Sequence, residues 1–129
     1  MPRAAALAAV LGGLGVAAGA FGAHGLKASL SADALGWWQT GASYHLVHAL
    51  ALLVAAVAPL AEPDSSRGRA RKLAAFLFGV GILVFAGSLY VMALTGERKL
   101  GAVTPIGGVA FIAGWGALAW SFWPTRKSG

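Results

Sequence analysis

Four long apolar segments, none of which contains a charged residue, constrain this chain more than any other feature. They run from Ala4 to Ala23, from about Thr40 to Leu60, from Leu73 to Leu94 and from Pro105 to Trp123. A helix needs about 20 apolar residues to cross a bilayer, and each segment is close to that length. Strands are disfavoured because hydrophobicity does not alternate along the segments and because lipid does not tolerate an open sheet edge.

The composition supports this interpretation. Hydrophobic residues make up 58% of the chain and charged residues 11%, whereas a soluble domain carries about 25% charged residues. We therefore expect one all-α integral membrane domain, 1–129, that forms a four-helix bundle with helices at about 4–24, 32–60, 72–95 and 105–123. No cysteine is present, which excludes disulfides and thiolate metal sites.

Local signals mark the helix ends. Ser31 is a favourable N-cap for the second helix, and Pro59 closes that helix. Thr104 and Pro105 start the fourth helix, with threonine as the cap and proline in the first turn. Tryptophans near the segment ends are predicted to anchor the helices at the membrane interface; these are Trp37, Trp38, Trp120 and Trp123.

The first segment also has an alternative interpretation. Arg3, an apolar stretch and the small residues at 18–20 resemble a secretory signal with its cleavage site. The apolar run continues past that site to Ala23, which is longer than a typical signal core. We therefore expect an uncleaved helix.

The basic residues predict the orientation. Seven lie on the side that holds both termini and the middle loop, namely Arg3, Arg67, Arg69, Arg71, Lys72, Arg126 and Lys127, and three lie on the other side, namely Lys27, Arg98 and Lys99. The positive-inside rule therefore places both termini in the cytoplasm. Nucleic acid is not an expected partner, because the charge lies in short gaps between apolar runs. Arg67, Arg69, Arg71 and Lys72 are expected to attract anionic lipid headgroups, at about 1 kcal/mol per residue, or to act only as a topology signal.

Small residues provide faces for helix packing. In the first helix, Gly15, Gly19 and Ala23 follow each other at four-residue spacing, and in the fourth, Gly107, Gly114 and Ser121 follow a heptad spacing. Small residues let helix backbones approach closely in lipid. We expect most of these contacts within the chain, although contacts between chains, in a homo-oligomer or a larger complex, satisfy the same pattern.

Polar and ionisable groups gather in the half of the bundle that is predicted to face outward. The candidate ligand cluster consists of His24, Tyr44, His45, His48 and Glu97. At 100° per residue, Tyr44, His45 and His48 share one helix face. Counted from Pro59, His48 lies roughly 16 Å into the helix, near the middle of the membrane. An ionisable group at that depth is a functional candidate by default.

Four interpretations of the cluster remain open. The H-x-x-H pair with His24 or Glu97 could bind a metal, and histidines of two helices could ligate a haem. A chain of histidine, tyrosine and Glu97 could move protons or a small solute. The fourth interpretation is structural and is the one we expect: His48 hydrogen-bonds a neighbouring helix, with Ser88 or Tyr90 as candidate partners. No metal or cofactor is therefore predicted.

Four blocks of sequence resemble a known family. They are GAFGAHGLK (19–27), YHLVHALALL (44–53), GSLYVMALTG (87–96) and TPIGGVAFIAGW (104–115). In this order they resemble the small membrane family catalogued as domain of unknown function 423, whose eukaryotic members are called transmembrane protein 256. The resemblance implies four membrane helices and, in bacteria, a place in the inner membrane. It implies no reaction, and it places His24 and His48 in matching blocks.

The sequence predicts a non-enzymatic protein. No catalytic motif is recognisable, and the apolar segments contain no carboxylate for acid–base chemistry. The leading expectation is an accessory, assembly or scaffold component of a larger membrane complex, because small-residue helix faces are abundant. The alternatives are a small transporter or channel component that uses the polar cluster, and a metal- or haem-binding protein.

Overall fold

The computed structural model describes residues 1–59 and 62–126. Four helices long and apolar enough to cross a membrane run through these residues: α1 (Pro2–His24), α2 (Ala32–Val57), α3 (Ser66–Thr95) and α4 (Thr104–Phe122). A short 3-10 turn, Arg98–Ala102, precedes α4. No strand occurs in the described part of the chain, and the predicted all-α membrane fold is confirmed.

The largest differences from the predicted helix ends are at the end of α2 and the start of α3; the start of α1 and both ends of α4 differ by one or two residues. α2 ends at Val57, before the predicted end at Leu60, because Ala58 is extended (φ −61°, ψ 137°) and precedes Pro59, which disfavours a helical conformation in the residue before it. Leu60 itself, like Lys127 of the charge count, lies outside the described residues. α3 begins before residue 72, at Ser66, because the Ser65 hydroxyl caps it by accepting from the Gly68 N–H at 3.1 Å.

The two predicted caps behave differently. Ser31 caps α2, and its hydroxyl accepts from the Ala34 N–H at 3.1 Å. Thr104 is not the cap of α4, because Val103 occupies that position and Pro105 lies in the first turn. The Thr104 hydroxyl instead pairs with the Ser88 hydroxyl at 2.6 Å. This bond ties the start of α4 to α3.

α3 contains one wide turn. It is α-helical over Ser66–Gly81, π-helical over Ile82–Ala86 and α-helical again over Gly87–Thr95. A π turn holds more residues than an α turn, so it rotates the contact face of the helix. The first stretch packs mainly on α4 and the last stretch packs on α2. α3 therefore joins α2 and α4 along its length.

The packing face of α4 follows the predicted heptad positions. Gly107, Gly114 and Ser121 are buried, with Phe111 and Leu118 between them. A β-carbon at Gly107 would lie 2.7 Å from the Phe85 Cβ, so glycine sets how closely α3 and α4 approach. Phe111 and Leu118 join the main core, which α2 and α3 fill chiefly with alanines around Leu52 and Phe78.

α1 is the peripheral helix and packs mainly on α2. Its buried residues, Ala8, Gly15 and Gly22, are spaced by seven. Gly19 and Ala23, predicted to lie on the packing face with Gly15, are exposed instead. The contact is fixed by Trp38 of α2, a predicted interface anchor that is in fact buried.

Trp38 holds α1 in two ways. Its indole N–H donates to the Ala18 carbonyl at 2.7 Å, and its ring lies so close to Gly22 that a β-carbon there would be 2.8 Å from Nε1. Glycine at position 22 is therefore required for the indole to reach the α1 backbone.

Candidate functional site

His48 lies buried at the centre of the polar cluster, and both of its ring nitrogens are hydrogen-bonded. Nδ1 lies 2.7 Å from the Tyr44 carbonyl oxygen, and the Trp115 indole N–H donates to Nε2 at 3.0 Å. Neither partner is Ser88 or Tyr90, the residues predicted from the sequence. One bond stays within α2, and the other joins α2 to α4.

These two partners fix the protonation state of the ring. A carbonyl can only accept a hydrogen bond and an indole N–H can only donate one. Nδ1 of His48 must therefore carry the proton, and Nε2 must present its lone pair to Trp115. The ring is held as the neutral Nδ1–H tautomer, with no nitrogen left for a metal or for a second proton.

Aromatic rings enclose His48. Its ring stacks on Phe111 with centroids 3.6 Å apart, and Phe78 and Trp115 approach it edge-on or tilted at 5.8 Å. A cleft of about 130 Å³ reaches the ring between Tyr44 and Val47, and its accessible lining is apolar. Tyr44 itself is about half exposed and stacks over His48. This surrounding is a packed core that borders lipid.

His45 points to a different neighbour. Its Nδ1 lies 2.8 Å from the Tyr90 hydroxyl on α3. Its Nε2 is buried and has no hydrogen-bond partner of ordinary geometry among the described residues, although the backbone of Leu11 in α1 lies beside the ring. Gly15 lets the ring pack against α1, since a β-carbon there would lie 3.4 Å from His45 Cδ2. His45 therefore lies between α1 and α3.

The other two members of the predicted cluster lie at exposed helix ends. His24 is the exposed last residue of α1, and Glu97 is exposed in the turn after α3. Arg98, next to Glu97, pairs with Asp33 at 3.2 Å. Across residues 1–59 and 62–126, no group of three His, Cys, Asp or Glu side chains could hold a metal ion.

The arrangement limits what the cluster can do chemically. Coordination needs imidazole nitrogens that converge with free lone pairs, whereas both nitrogens of His48 are occupied. A proton relay needs a ring that can exchange protons on both sides, and the Trp115 N–H opposes protonation at Nε2. The bonds of His48 and His45 instead connect α2 to α4 and to α3.

A second polar site lies at the opposite end of α2. Arg71 is only 3% exposed; its Nε donates to the Ser121 hydroxyl at 3.0 Å and its Nη1 to the Ala58 carbonyl at 2.9 Å. Its guanidinium lies 4.3 Å from the centroid of the Phe122 ring. Arg71 thus stabilises the carbonyl end of α2, where the helix dipole favours a cation.

Arg67 has the same role at α4. Its Nη1 donates at 2.6 Å to the carbonyls of Trp120 and Trp123 at the end of the helix, and the Trp120 carbonyl also accepts from the Trp123 N–H at 3.2 Å. Arg69 donates to the Asp64 carbonyl, and Lys72 is exposed. Of the four residues predicted to attract headgroups, three bond to protein carbonyls, and both Arg69 and Lys72 are exposed.

Trp115 was not predicted to have a polar role. An indole N–H in the middle of a membrane helix needs an acceptor. His48, with a ring nitrogen near the same depth, is a suitable acceptor. Ser121 was likewise noted only for its small size, although a buried hydroxyl also needs a partner.

Comparison with known proteins gives a consistent result. The family described as protein of unknown function, DUF423, matches residues 18–108. This span contains the first three sequence blocks and the first five residues of the fourth, 104–108. No solved structure matches the chain.

Several relatives are named as membrane proteins. The chain is 48% identical to the UPF0382 membrane protein YwdK of Bacillus subtilis over 79% of this chain and 80% of the relative. It is 38% identical to a UPF0382 membrane protein of Haemophilus influenzae over 94% of each chain. It is 40% identical to the UPF0382 inner membrane protein YgdD of Escherichia coli over 84% of this chain and 79% of the relative. The prediction of a multi-pass membrane protein is confirmed.

Proposed function

The chain belongs to the DUF423 family of proteins of unknown function, and from this premise we propose that it is a non-enzymatic accessory subunit that binds a transmembrane helix of a partner protein. The observation that carries the proposal is the exposed flank of α1. Gly12 and Gly19 lie seven residues apart on one face of α1, and a β-carbon at either would meet no heavy atom within 4 Å. These glycines do not serve packing within the chain.

A groove adjoins this flank between α1 and α2. It has a volume of about 560 Å³, and Gly19, Gln39 and Ser43 contribute to its lining. Gln39 and Ser43 are exposed and lie one turn apart on α2. Amide and hydroxyl side chains hydrogen-bond across helices in lipid, and small residues allow the backbones to approach. The groove combines both features.

This chemistry specifies the occupant. A transmembrane helix that brings its own small residues and one polar side chain would satisfy Gln39 and Ser43 and would pack on Gly19. Lipid tails cannot supply those hydrogen bonds. The occupied nitrogens of His48 support a role in binding rather than in catalysis.

The proposal can be tested by site-specific photo-crosslinking in native membranes. A photo-reactive amino acid at Ser43 should crosslink to one discrete protein, whereas the same amino acid at Ile112, an exposed position on α4, should not. Gly19→Leu should abolish the Ser43 crosslink by filling the groove without disturbing the fold.

Two results would overturn the proposal. One is a crosslink at Ser43 that is unchanged in Gly19→Leu or equally strong at Ile112. The other is a Ser43 crosslink that joins only two differently tagged copies of this chain, because it would replace the partner helix by a second copy.

A further inference from the structure

Arg71 is a buried cation without an anionic partner. Its two bonded nitrogens reach a hydroxyl and a carbonyl, and its third nitrogen, Nη2, is buried without a hydrogen-bond partner in the described structure. The acids of the preceding loop, Glu62 and Asp64, are exposed, and the one ion pair found among the described residues joins Asp33 and Arg98. A charge that is buried without compensation is strongly unfavourable, so an external anion would stabilise this end of the bundle.

A cavity beside Arg71 offers room for such an anion. Its volume is about 190 Å³, and Arg71 and Lys72 line it together with Met1, Ala58, Pro63 and Gly68. A cavity needs only about 15 Å³ to hold one water, so this cavity can accommodate a phosphate-sized group. Two cationic side chains and no carboxylate belong to the lining, which gives the cavity the charge of an anion site.

An apolar groove continues from this cavity. Met1 and Lys72 line both spaces, and the groove, of about 380 Å³, runs between α1 and α3 past Leu7, Ala75, Gly79 and Leu83. Its accessible lining is almost entirely apolar. From Lys72 to Leu83 the helix rises roughly 16 Å at 1.5 Å per residue. The groove therefore has the length and chemistry to hold a hydrocarbon chain.

We propose that the cavity and the groove together bind one anionic phospholipid. Its phosphate lies against Lys72 and compensates the charge of Arg71, and one acyl chain lies between α1 and α3. The ligand is assigned from charge complementarity at one end and an apolar channel at the other. The positive-inside orientation predicts that this end faces the cytoplasmic leaflet, where anionic headgroups are concentrated.

The proposal can be tested with the full chain in mild detergent by native mass spectrometry and thermal unfolding. Three probes are compared: phosphatidylglycerol, phosphatidylcholine with the same acyl chains, and inorganic phosphate. Phosphatidylglycerol should bind at least fivefold more tightly than phosphatidylcholine, the effect of about one basic contact. It should also raise the unfolding temperature more than inorganic phosphate does.

Two variants separate headgroup from acyl chain while leaving the bonds of Arg71 to α2 and α4 intact. Lys72→Gln should weaken phosphatidylglycerol binding about fivefold. Gly79→Leu, which fills the groove and keeps every charge, should weaken it at least tenfold. The matched controls are Arg69→Gln and Gly87→Leu, which lie on the same helix outside the cavity and the groove.

Specific results would overturn the proposal. Equal affinity for the two lipids would remove the role of the charge. Binding by Gly79→Leu equal to that of the unmodified protein would remove the role of the groove. Equal stabilisation by inorganic phosphate would assign the cavity to a free anion instead of a lipid.

Discussion

Alanine in place of the glycine at position 107 should force α3 and α4 apart. A β-carbon there would lie 2.7 Å from the Cβ and 2.8 Å from the Cα of Phe85, whereas carbon atoms in contact lie about 3.5–4.0 Å apart. Because the obstructing atoms belong to the backbone and to Cβ, no change of side-chain rotamer relieves the contact. α3 and α4 would have to separate by about 0.8 Å.

The magnitude follows from two opposing effects. Overpacking of this kind costs about 1–3 kcal/mol, and alanine gains about 1 kcal/mol over glycine in a helix. We expect Gly107→Ala to lose about 0–2 kcal/mol of the free energy of unfolding. Gly19→Ala is the control, because no atom lies within 4 Å of its β-carbon, and it should be neutral or more stable by up to about 1 kcal/mol.

A reversible unfolding titration with SDS in mixed micelles measures this difference. The two variants should differ by about 2 kcal/mol, which is about 30-fold in the unfolding equilibrium constant. Gly114→Ala should fall between them, because its nearest obstruction, the Phe78 ring, is a side chain that can shift. Equal stability of the Gly107 and Gly19 variants would refute the close approach of α3 and α4.

Three further outcomes are expected. Trp115→Phe should cost about 0.6–1.7 kcal/mol, and a double-mutant cycle with His48→Phe should return a coupling energy of that size; zero coupling, or a metal or haem bound at His48 in the purified protein, would contradict the bonded tautomer. Trp38→Phe should loosen α1 without unfolding the other helices, seen as faster proteolysis of α1 alone, and unchanged cleavage would count against the indole bond. A single cysteine in place of Lys99 should react with an impermeant maleimide in intact cells, whereas one in place of Ser65 should react only after lysis. The reverse pattern would contradict the predicted cytoplasmic location of both termini.

The sequence predicted the helices because hydrocarbon leaves few alternatives. An apolar segment of about 20 residues must satisfy its backbone internally, so it forms a helix. The packing face of α4 was also predictable, since Gly107, Gly114 and Ser121 are small residues at heptad spacing with large residues between them. The length, composition and residue spacing of each segment are local properties, and they were sufficient to predict the four helices and the packing face of α4.

The packing face of α1 was not predictable from the same kind of pattern. Gly19 lies four residues after Gly15, and Gly22 lies seven residues after it. Both spacings are compatible with a shared packing face. The helix is apolar on every side, so no polar face indicates which side meets lipid. The choice depends on Trp38, whose ring occupies the space beside Gly22.

The partner of His48 was unpredictable for a related reason. Trp115 lies on a helix 67 residues away in the sequence, and its position depends on how α3 orients α4. The π turn at Ile82–Ala86 contributes to that orientation, and nothing in its apolar residues signals a wide turn. Long-range pairings therefore had to come from the structure.

The distribution of polar contacts separates α1 from the rest of the bundle. The bonds of His48, Arg71 and Ser88 join α2, α3 and α4 to one another, whereas α1 is held by the Trp38 bond and by close packing. Since helices in lipid associate through packing and a few hydrogen bonds, α1 should be the least stable of the four.

Hydrogen exchange in detergent can measure this ranking. The amides of α1 should exchange fastest among the four helices, because local opening follows the number of stabilising contacts. The apolar groove between α1 and α3, proposed to hold an acyl chain, borders α1 on one side. The groove between α1 and α2, proposed to hold a partner helix, borders it on another side. An occupant of either groove would give α1 a second neighbour. Phosphatidylglycerol should therefore slow exchange in α1 and leave the centre of α2 unchanged. If the amides of α1 are protected as strongly as those of α2 without lipid, α1 is not the least stable helix of the bundle.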